Sequence, residues 1–315
     1  MSEPMPTVNL LFLGGAKRVS MARHFKAAAA ALGYECGIYS YEMSLREPIA
    51  CEGTVIEGLR WSDPAVLDDL RRVCDEHGIR VIVPFVDGAV RVAAMLADEY
   101  SVPACSPDMA DTMFDKVAAA RLFEKLGLDI PATWHEGVPV ECLIAKPRRG
   151  SASKGIVAID CEADLYAIAD RDAYLIQRRI DRRIEYTCDC YVDTSTGEVL
   201  VVSPRVRLDV AGGEVTRTRT VADGDVADLA VRTLVATGLR GAVTVQIMRD
   251  LDTGRVVLME INPRLGGGCV CSVAAGADIP GMILRQALGM PLSRATVSPG
   301  VEIARYPQEV VFYDR

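Results

Sequence analysis

The sequence predicts a protein of mixed α/β and α+β class, in which a small Rossmann-like domain precedes an α+β body. Up to Ser106, short apolar strands alternate with helices, a pattern typical of a parallel, doubly wound sheet. After Pro131, strands alternate apolar and polar residues and are joined by glycine-containing turns, a pattern typical of antiparallel sheets. The change of pattern predicts a domain boundary near Ser106-Pro107.

The first strand is predicted at 8–13 and ends at Gly14-Gly15. A helix follows through the alanine block 27–31, and Gly33 is expected to close it in the left-handed conformation that glycine tolerates. The second strand is predicted at 34–41.

A second helix is expected to begin with Asp63 as N-cap and Pro64 as its first residue. Gly78 should end this helix, and the apolar run 79–84 is predicted as the next buried strand.

The body begins with one predicted helix, which has an apolar face and ends at Gly127. Further helices are predicted around 223–237 and after Ala274, between antiparallel strands. The residues of that first apolar face are Met109, Met113, Val117, Ala120 and Phe123.

Composition excludes several classes of protein. The 315 residues carry 43 acidic and 35 basic side chains, a net charge of −8 without a basic block, which argues against a nucleic-acid-binding protein. No apolar run is long enough to cross a membrane, and the start lacks the pattern of a signal peptide. We therefore expect a cytoplasmic protein without a membrane partner.

The ten cysteines are scattered and form no C-x-x-C motif. The pairs Cys188/Cys190 and Cys269/Cys271 are the only spacing that suggests a zinc site, and neither a third cluster nor a supporting histidine accompanies them. Reduced, mostly buried thiols are the favoured interpretation.

Gly14-Gly15 after the first strand raises the question of a dinucleotide site. In the pattern G-x-G-x-x-G the other glycines would stand at Ala16 and Val19, so two of the three are missing. A tight strand-to-helix turn is favoured, and an NAD(P)-dependent oxidoreductase remains as an alternative of a different class.

Two segments of the body have the chemistry of a nucleotide site. Lys146 lies on a predicted strand before the glycine- and serine-rich loop 149–155, whose N–H groups could lie over phosphates; a flexible hairpin is an equally good interpretation. The run 174–180 leads into Glu185, so its backbone could face an adenine edge and Glu185 could bind ribose hydroxyls, although the spacing does not require either.

The predicted strands 242–249 and 256–262 carry candidate metal ligands. Alternation places Gln246 on one face of the first strand, and Glu260 and Asn262 together on one face of the second. Their oxygens suit Mg²⁺. A solvated sheet face is the alternative, but this strand is otherwise apolar and leads into Gly266-Gly267-Gly268.

In this order, the segments resemble the ATP-grasp superfamily, closest to the branch of the carbamoyl phosphate synthetase large subunit and biotin carboxylase. The most specific parts are Gly-Ala-Val-Thr-Val-Gln at 241–246 and Met-Glu-Ile-Asn-Pro-Arg at 259–264. The resemblance implies a Rossmann-like pre-ATP-grasp domain at 1–107 and a two-lobed ATP-grasp domain at 108–300. The lobes would span about 108–178 and 179–300, followed by a C-terminal tail at 301–315.

The resemblance also implies roles for single residues. The metal ligands would be Gln246, Glu260 and Asn262, holding one or two Mg²⁺ ions; many family members have Glu where this chain has Gln246. Arg264 would stabilise the transferring phosphoryl group. Arg205 and Arg207 are further catalytic candidates. For these two, and for the similar pair Arg217 and Arg219, a solvated strand face is an equally good interpretation. The implied ATP-binding residues are Lys116, Lys146, Gly150, Ser151, Ser153, Gly155, Gln177, Arg178, Ile180 and Glu185.

The function implied by the resemblance is an ADP-forming ligase. It would use ATP to activate a small carboxylate as an acyl phosphate, which an amine or similar nucleophile then attacks. A carbamoyl phosphate synthetase-like enzyme acting on bicarbonate is ranked lower because the chain lacks the duplicated halves of a full synthetase. A non-catalytic nucleotide-binding protein need not keep Glu260, Asn262 and Arg264 together. The substrates and the oligomeric state stay open, although a homodimer is usual for such proteins.

Overall fold

The structure is a computed structural model that describes residues 4–150 and 154–313. The described residues form one parallel and two antiparallel sheets, which confirms the predicted α/β and α+β class. The strands are β1 (Thr7–Leu13), β2 (Glu35–Glu42), β3 (Thr54–Glu57), β4 (Ile79–Pro84), β5 (Leu143–Pro147), β6 (Val157–Ile159), β7 (Tyr174–Arg178), β8 (Arg183–Val192), β9 (Val199–Ala211), β10 (Glu214–Thr220), β11 (Gly241–Asp250), β12 (Val256–Asn262) and β13 (Glu302–Ala304). The α-helices are α1 (Val19–Ala31), α2 (Val66–His77), α3 (Asp87–Ala94), α4 (Pro107–Phe114), α5 (Lys116–Lys125), α6 (Glu162–Tyr166), α7 (Gly224–Thr237), α8 (Cys269–Ala274) and α9 (Ile279–Ala287).

The N-terminal sheet has the strand order β3-β2-β1-β4, and all its pairings are parallel. Its central strand β1 is buried on both faces: Leu10 and Phe12 pack into one core, Leu11 and Leu13 into another. Because both faces are buried, the sequence of this strand is continuously apolar instead of alternating between apolar and polar residues.

The predicted caps are correct at one end of α2 and wrong at the other. Gly78 ends α2 in the left-handed conformation, with φ of 57°. The helix begins at Val66, however, and Asp63 accepts a hydrogen bond from the N–H of Ala65 in the preceding turn, so it is not the N-cap. Strand β3 was not predicted; it lies at the sheet edge, where burial imposes little pattern.

The single helix predicted around 109–123 is wrong. The chain leaves the helical conformation at Asp115, whose side chain caps α5 by accepting hydrogen bonds from the N–H groups of Val117 and Ala118. Helices α4 and α5 both contribute to one core, through Met113 and Phe123 among others, so the apolar pattern continues across the break.

The largest sheet is antiparallel, in the order β12-β11-β8-β9-β10-β13. One face packs against α4, α5 and α7, and it includes Cys188 and Cys190, which share a face of β8 as predicted. The other face borders the cavity described below. The third sheet, β6-β5-β7, has its own small core around Ala145 and Ile176.

All ten cysteines are free thiols, six of them buried. Cys188 and Cys190 belong to a strand, whereas Cys269 and Cys271 belong to helix α8. Burial raises the pKa of the Cys36 thiol to about 11. None of the ten forms a disulfide, which agrees with the predicted thiols, and most of them are buried.

In residues 4–150 and 154–313, no helix is both long enough and apolar enough to span a bilayer. The division into domains at 107/108 and 178/179 stays a prediction. The predicted tail contains β13, which pairs with β10 at the edge of the large sheet.

Candidate active site

A cavity of about 730 Å³ is lined by residues of the small sheet, of the large sheet and of the N-terminal part of the chain. Gly155 does not line it, and Ser151 and Ser153 lie outside the described residues. The predicted site residues that do line the cavity are Lys116, Lys146, Gly150, Gln177, Arg178, Ile180, Glu185, Arg205, Arg207, Gln246, Glu260, Asn262 and Arg264.

The candidate metal ligands are adjacent on β11 and β12. Gln246 and Glu260 are direct cross-strand partners, and the next pair on the same face is Thr244 with Asn262. The Asn262 Nδ2 donates to Glu260 Oε1 at 3.1 Å. On β11, Val245 lies between Thr244 and Gln246 and packs on the buried face. Alternation along β11 therefore directs the polar side chains into the cavity.

This set of side chains fits Mg²⁺ in its chemistry, since a carboxylate and two amide groups offer hard oxygen ligands. Within the part of the chain that the structure describes, no three His, Cys, Asp or Glu side chains lie close enough to hold a metal. A Mg²⁺ ion held by Glu260, Asn262 and Gln246 would therefore need further oxygens, such as those of phosphate groups.

Two lysines reach the cavity from the small-sheet side. Lys146 Nζ donates to Gln177 Oε1 at 3.1 Å, and Gln177 is itself fixed because its Nε2 donates to the Pro131 carbonyl at 3.1 Å. Burial lowers the pKa of Lys146, and the carboxylate of Glu260 acts in the opposite direction. A partly desolvated ammonium of this kind binds an anion more strongly than an exposed one does.

Lys116 is placed by the break between α4 and α5. Its Nζ donates to the Gly150 carbonyl at 2.8 Å, at the start of the glycine- and serine-rich loop. The neighbouring Asp115 forms an ion pair with Arg148 at 2.6 Å. These two contacts join the start of α5 to the segment that follows β5, the strand that carries Lys146.

The end of β7 and the residues that follow it, 177–180, are the segment predicted to face the adenine. The N–H groups of Arg178 and Arg179 donate to the carbonyls of Ala132 and Cys142, at 2.8 and 2.7 Å. The Ile180 carbonyl accepts from Arg183 Nη1 at 2.7 Å. The segment is thus held from both sides beside the cavity.

The Glu185 carboxylate is held between two guanidinium groups. Arg183 Nε donates to one oxygen at 2.9 Å, and Arg207 Nη1 donates to the other at 3.2 Å. Arg207 is further fixed because its Nη2 donates to the carbonyl of Gly213.

Arg264 links the large sheet to the N-terminal domain. Its Nε donates to Asp87 Oδ1 at 2.6 Å, and Asp87 begins α3 just beyond the end of β4. Its carbonyl accepts a hydrogen bond from Thr244 Oγ1 at 2.9 Å. The arginine is therefore fixed by contacts with α3 and with β11, next to Asn262.

Arg205 differs from the other predicted arginines because it is 3% exposed and forms a buried ion pair. Its Nε donates to Asp189 Oδ2 at 2.7 Å, and Ser272 Oγ donates to the same oxygen at 2.6 Å. Because its guanidinium is buried and paired with Asp189, Arg205 mainly stabilises the fold. Arg217, by contrast, is exposed and paired with Glu302 at 2.6 Å.

The glycine turn after β1 has a structural explanation. A Cβ on Gly14 would lie 2.6 Å from Val86 Cγ2, and one on Gly15 would lie 2.7 Å from Phe12 Cβ, so both positions require glycine. The buried Glu42 carboxylate accepts hydrogen bonds from the N–H groups of Gly15 and Ala16, and burial raises its pKa. These are the donors that a pyrophosphate would need, which disfavours the dinucleotide interpretation.

Arg18 lines the same cavity and was not predicted. It follows the glycine turn, near the carboxyl end of β1. Ligands of open α/β sheets bind at that edge, and this position is the sequence signal that could have identified it.

The chain is similar to known proteins in part of its sequence and in its fold. Residues 171–309 match the family model described as "ATP-grasp in the biosynthetic pathway with Ter operon". This part of the chain is therefore similar in sequence to ATP-grasp proteins. None of the curated proteins matches its sequence.

Solved structures share the fold of nearly the whole chain. N5-carboxyaminoimidazole synthetase from Staphylococcus aureus, complexed with ADP, has a TM-score of 0.73 at 14% identity, covering 94% of this chain and 82% of that one. The biotin carboxylase from Campylobacter jejuni has a TM-score of 0.71 at 16% identity, covering 92% and 73%. The L-amino acid ligase from Bacillus licheniformis has a TM-score of 0.69 at 17% identity, covering 92% and 76%. At these identities the likeness concerns the fold.

Proposed function

We propose that this protein is an ATP-grasp enzyme, an ADP-forming ligase that activates a small carboxylate as an acyl phosphate and transfers the acyl group to an amine or similar nucleophile. The observation that carries the proposal is the row formed by Gln246, Glu260 and Asn262. It faces the same cavity as Lys146 and Arg264. Metal ligands, cations for phosphate and a cation beside the reacting groups are what phosphoryl transfer requires.

ATP would bind between the small sheet and the large sheet. The backbone of Arg178 and Ile180 would face the adenine, and the Glu185 carboxylate would accept hydrogen bonds from the ribose hydroxyls. Lys116 and Lys146 would hold the phosphates, together with the loop that begins at Gly150. The ADP in the Staphylococcus aureus structure supports a nucleotide in this fold.

Glu260, Asn262 and Gln246 would hold one or two Mg²⁺ ions, which when bound neutralise phosphate charge and orient the phosphates. A carboxylate oxygen of the substrate attacks the γ-phosphorus, and the bond from that phosphorus to the bridging oxygen breaks to release ADP. The nucleophile then attacks the carbonyl carbon of the acyl phosphate, inorganic phosphate leaves, and the amine proton passes to solvent. Arg264 would stabilise the negative charge on the transferring group.

Arg207 would act on the nucleotide by holding Glu185, which it contacts at 3.2 Å. The buried Arg205–Asp189 pair would keep the strands beneath the site in register. We therefore retain Arg264 and Arg207 as residues of the site and assign Arg205 a supporting role.

A screen for ADP release tests the proposal. The purified protein is incubated with MgATP and pairs of candidate carboxylates and amines, with bicarbonate as a separate arm. ADP release that needs both an organic carboxylate and an amine supports the ligase, whereas release that needs bicarbonate favours the carbamoyl phosphate synthetase-like alternative. Binding of NADH without binding of MgATP would contradict both.

The free thiols support a reducing compartment, so a cytoplasmic location is part of the proposal. A homodimer also remains a prediction, which light scattering of the purified chain tests directly.

A further inference from the structure

Three arginines line the end of the cavity nearest the N-terminal domain: Arg18, Arg264 and Arg305. They come from the start of the chain, the large sheet and the segment after β13. Two acidic side chains face the same end. Asp87 pairs with Arg264 at 2.6 Å, and Glu214 pairs with Arg305 at 3.0 Å.

Arg18 has no acidic partner of its own among the described residues. Its guanidinium carbon lies 5.9 Å from the centre of the Phe85 ring, and the residue lines the cavity. Burial and the positive charges of Arg264 and Arg305 lower the pKa of Arg18, while Glu214 raises it. A guanidinium held among other cations without a paired carboxylate is stabilised when an anion binds.

Gly267 brings two of these groups to one point. A Cβ at this position would lie 2.9 Å from Nη1 of Arg18 and 3.6 Å from Nη1 of Arg305. The absence of a side chain at this position lets the Arg18 guanidinium lie against Gly267, with the Arg305 guanidinium close by. A small anion beside Gly267 can reach both of them.

We propose that Arg18 and Arg305, beside Gly267, form a subsite for an anionic group of the substrate that does not react, so that the activated carboxylate belongs to a molecule with a second carboxylate or a phosphate. This inference rests on the proposed function for the reaction itself. Two guanidinium groups occupy the lone pairs of a bound carboxylate, which then attacks phosphorus poorly. The reacting carboxylate lies instead beside Arg264 and Asn262.

The test measures anion binding to the protein saturated with MgADP, by isothermal titration calorimetry. Succinate carries two carboxylates, 3-phosphonopropionate carries a carboxylate and a phosphonate, and butyrate carries one carboxylate on a chain of similar length. We expect at least one of the two dianions to bind more tightly than butyrate, and the tighter one identifies the second group as carboxylate or phosphate. Equal affinities for all three would overturn the proposal.

Two variants and one control locate the effect. Arg18→Ala should weaken binding of the preferred dianion about 10- to 100-fold, the usual loss for a charge-assisted hydrogen-bonded pair, and leave butyrate and MgADP binding unchanged. Gly267→Ala should act in the same direction, because its methyl group displaces the Arg18 guanidinium. Lys17→Ala removes a neighbouring exposed charge that does not line the cavity and should bind like the wild type.

Wild-type affinity for the dianion in Arg18→Ala would contradict the subsite. If the wild-type protein fails to bind MgADP, the proposed function fails, and the same titration without nucleotide still tests the subsite. If MgADP binds but neither dianion binds more tightly than butyrate, only the inference of an anion subsite fails.

Discussion

Arg264 Nε donates to Asp87 Oδ1 at 2.6 Å, which joins the end of the Asn-Pro-Arg segment to the first residue of α3 in the N-terminal domain. The two residues are 177 positions apart. One side chain of the candidate reaction centre thus depends for its position on a distant part of the chain.

Asp87 is therefore expected to be a positioning residue. Asp87→Asn keeps the shape but removes the charge that orients Arg264, and we expect kcat to fall about tenfold with little change in the KM for ATP. Steady-state kinetics with the best substrate pair from the ADP-release screen separates the two constants. A purely structural role would instead lower the melting temperature and leave kcat of the folded fraction unchanged.

The metal ligands are tested by Glu260→Gln, which keeps the size of the side chain and removes its charge. We expect ATP turnover to fall about 100-fold or more, because the site would lose the one carboxylate of its ligand set. A Mg²⁺ titration should also shift to higher concentrations. Glu136→Gln, an exposed position, is the matched control and should retain full activity. If the two variants have the same activity, the assignment of Glu260 is wrong.

Lys146 presents a conflict between stability and binding. Lys146→Met removes a partly desolvated ammonium, so we expect the nucleotide-free protein to become more stable while its affinity for MgATP falls about 10- to 100-fold. Thermal unfolding and calorimetric titration measure the two effects.

The effect of Lys146 on stability should also depend on pH. Burial lowers the pKa of this lysine in the folded protein, so the unfolded chain binds the proton more tightly. The loss of stability that the buried Lys146 ammonium causes in the wild type is complete below the folded-state pKa. It disappears as the pH rises to the ordinary pKa of lysine. The difference in stability between Lys146→Met and the wild type should therefore shrink at alkaline pH, and a constant difference would contradict the burial argument.

Arg205 and Asp189 form a buried pair, so removing one partner leaves the other without compensation. We expect Arg205→Met to lower the free energy of unfolding by about 3–5 kcal/mol, measured by chemical denaturation. The exposed Arg217→Met should change it by less than about 1 kcal/mol. Normal stability together with lost turnover in Arg205→Met would instead restore the catalytic role that the sequence suggested.

The large sheet could be predicted well because one of its faces is buried. That burial imposes alternation on β11 and β12, and the alternation alone identified the face that carries Gln246, Glu260 and Asn262. The break at Asp115 could not be predicted in the same way, since α4 and α5 supply one continuous core and the apolar spacing crosses the break. The position of Arg18 after the first strand is a local signal for the site, but its proximity to Gly267 and Arg305 could not be predicted, because it depends on how distant parts of the chain pack.

The acyl phosphate is the central claim, and trapping it with hydroxylamine tests that claim most directly. The protein is incubated with MgATP, hydroxylamine and the carboxylate that best stimulates ADP release. We predict a hydroxamate of that carboxylate, formed in step with ADP and absent without ATP or in Glu260→Gln. ADP release that depends on the carboxylate but yields no hydroxamate would contradict the account.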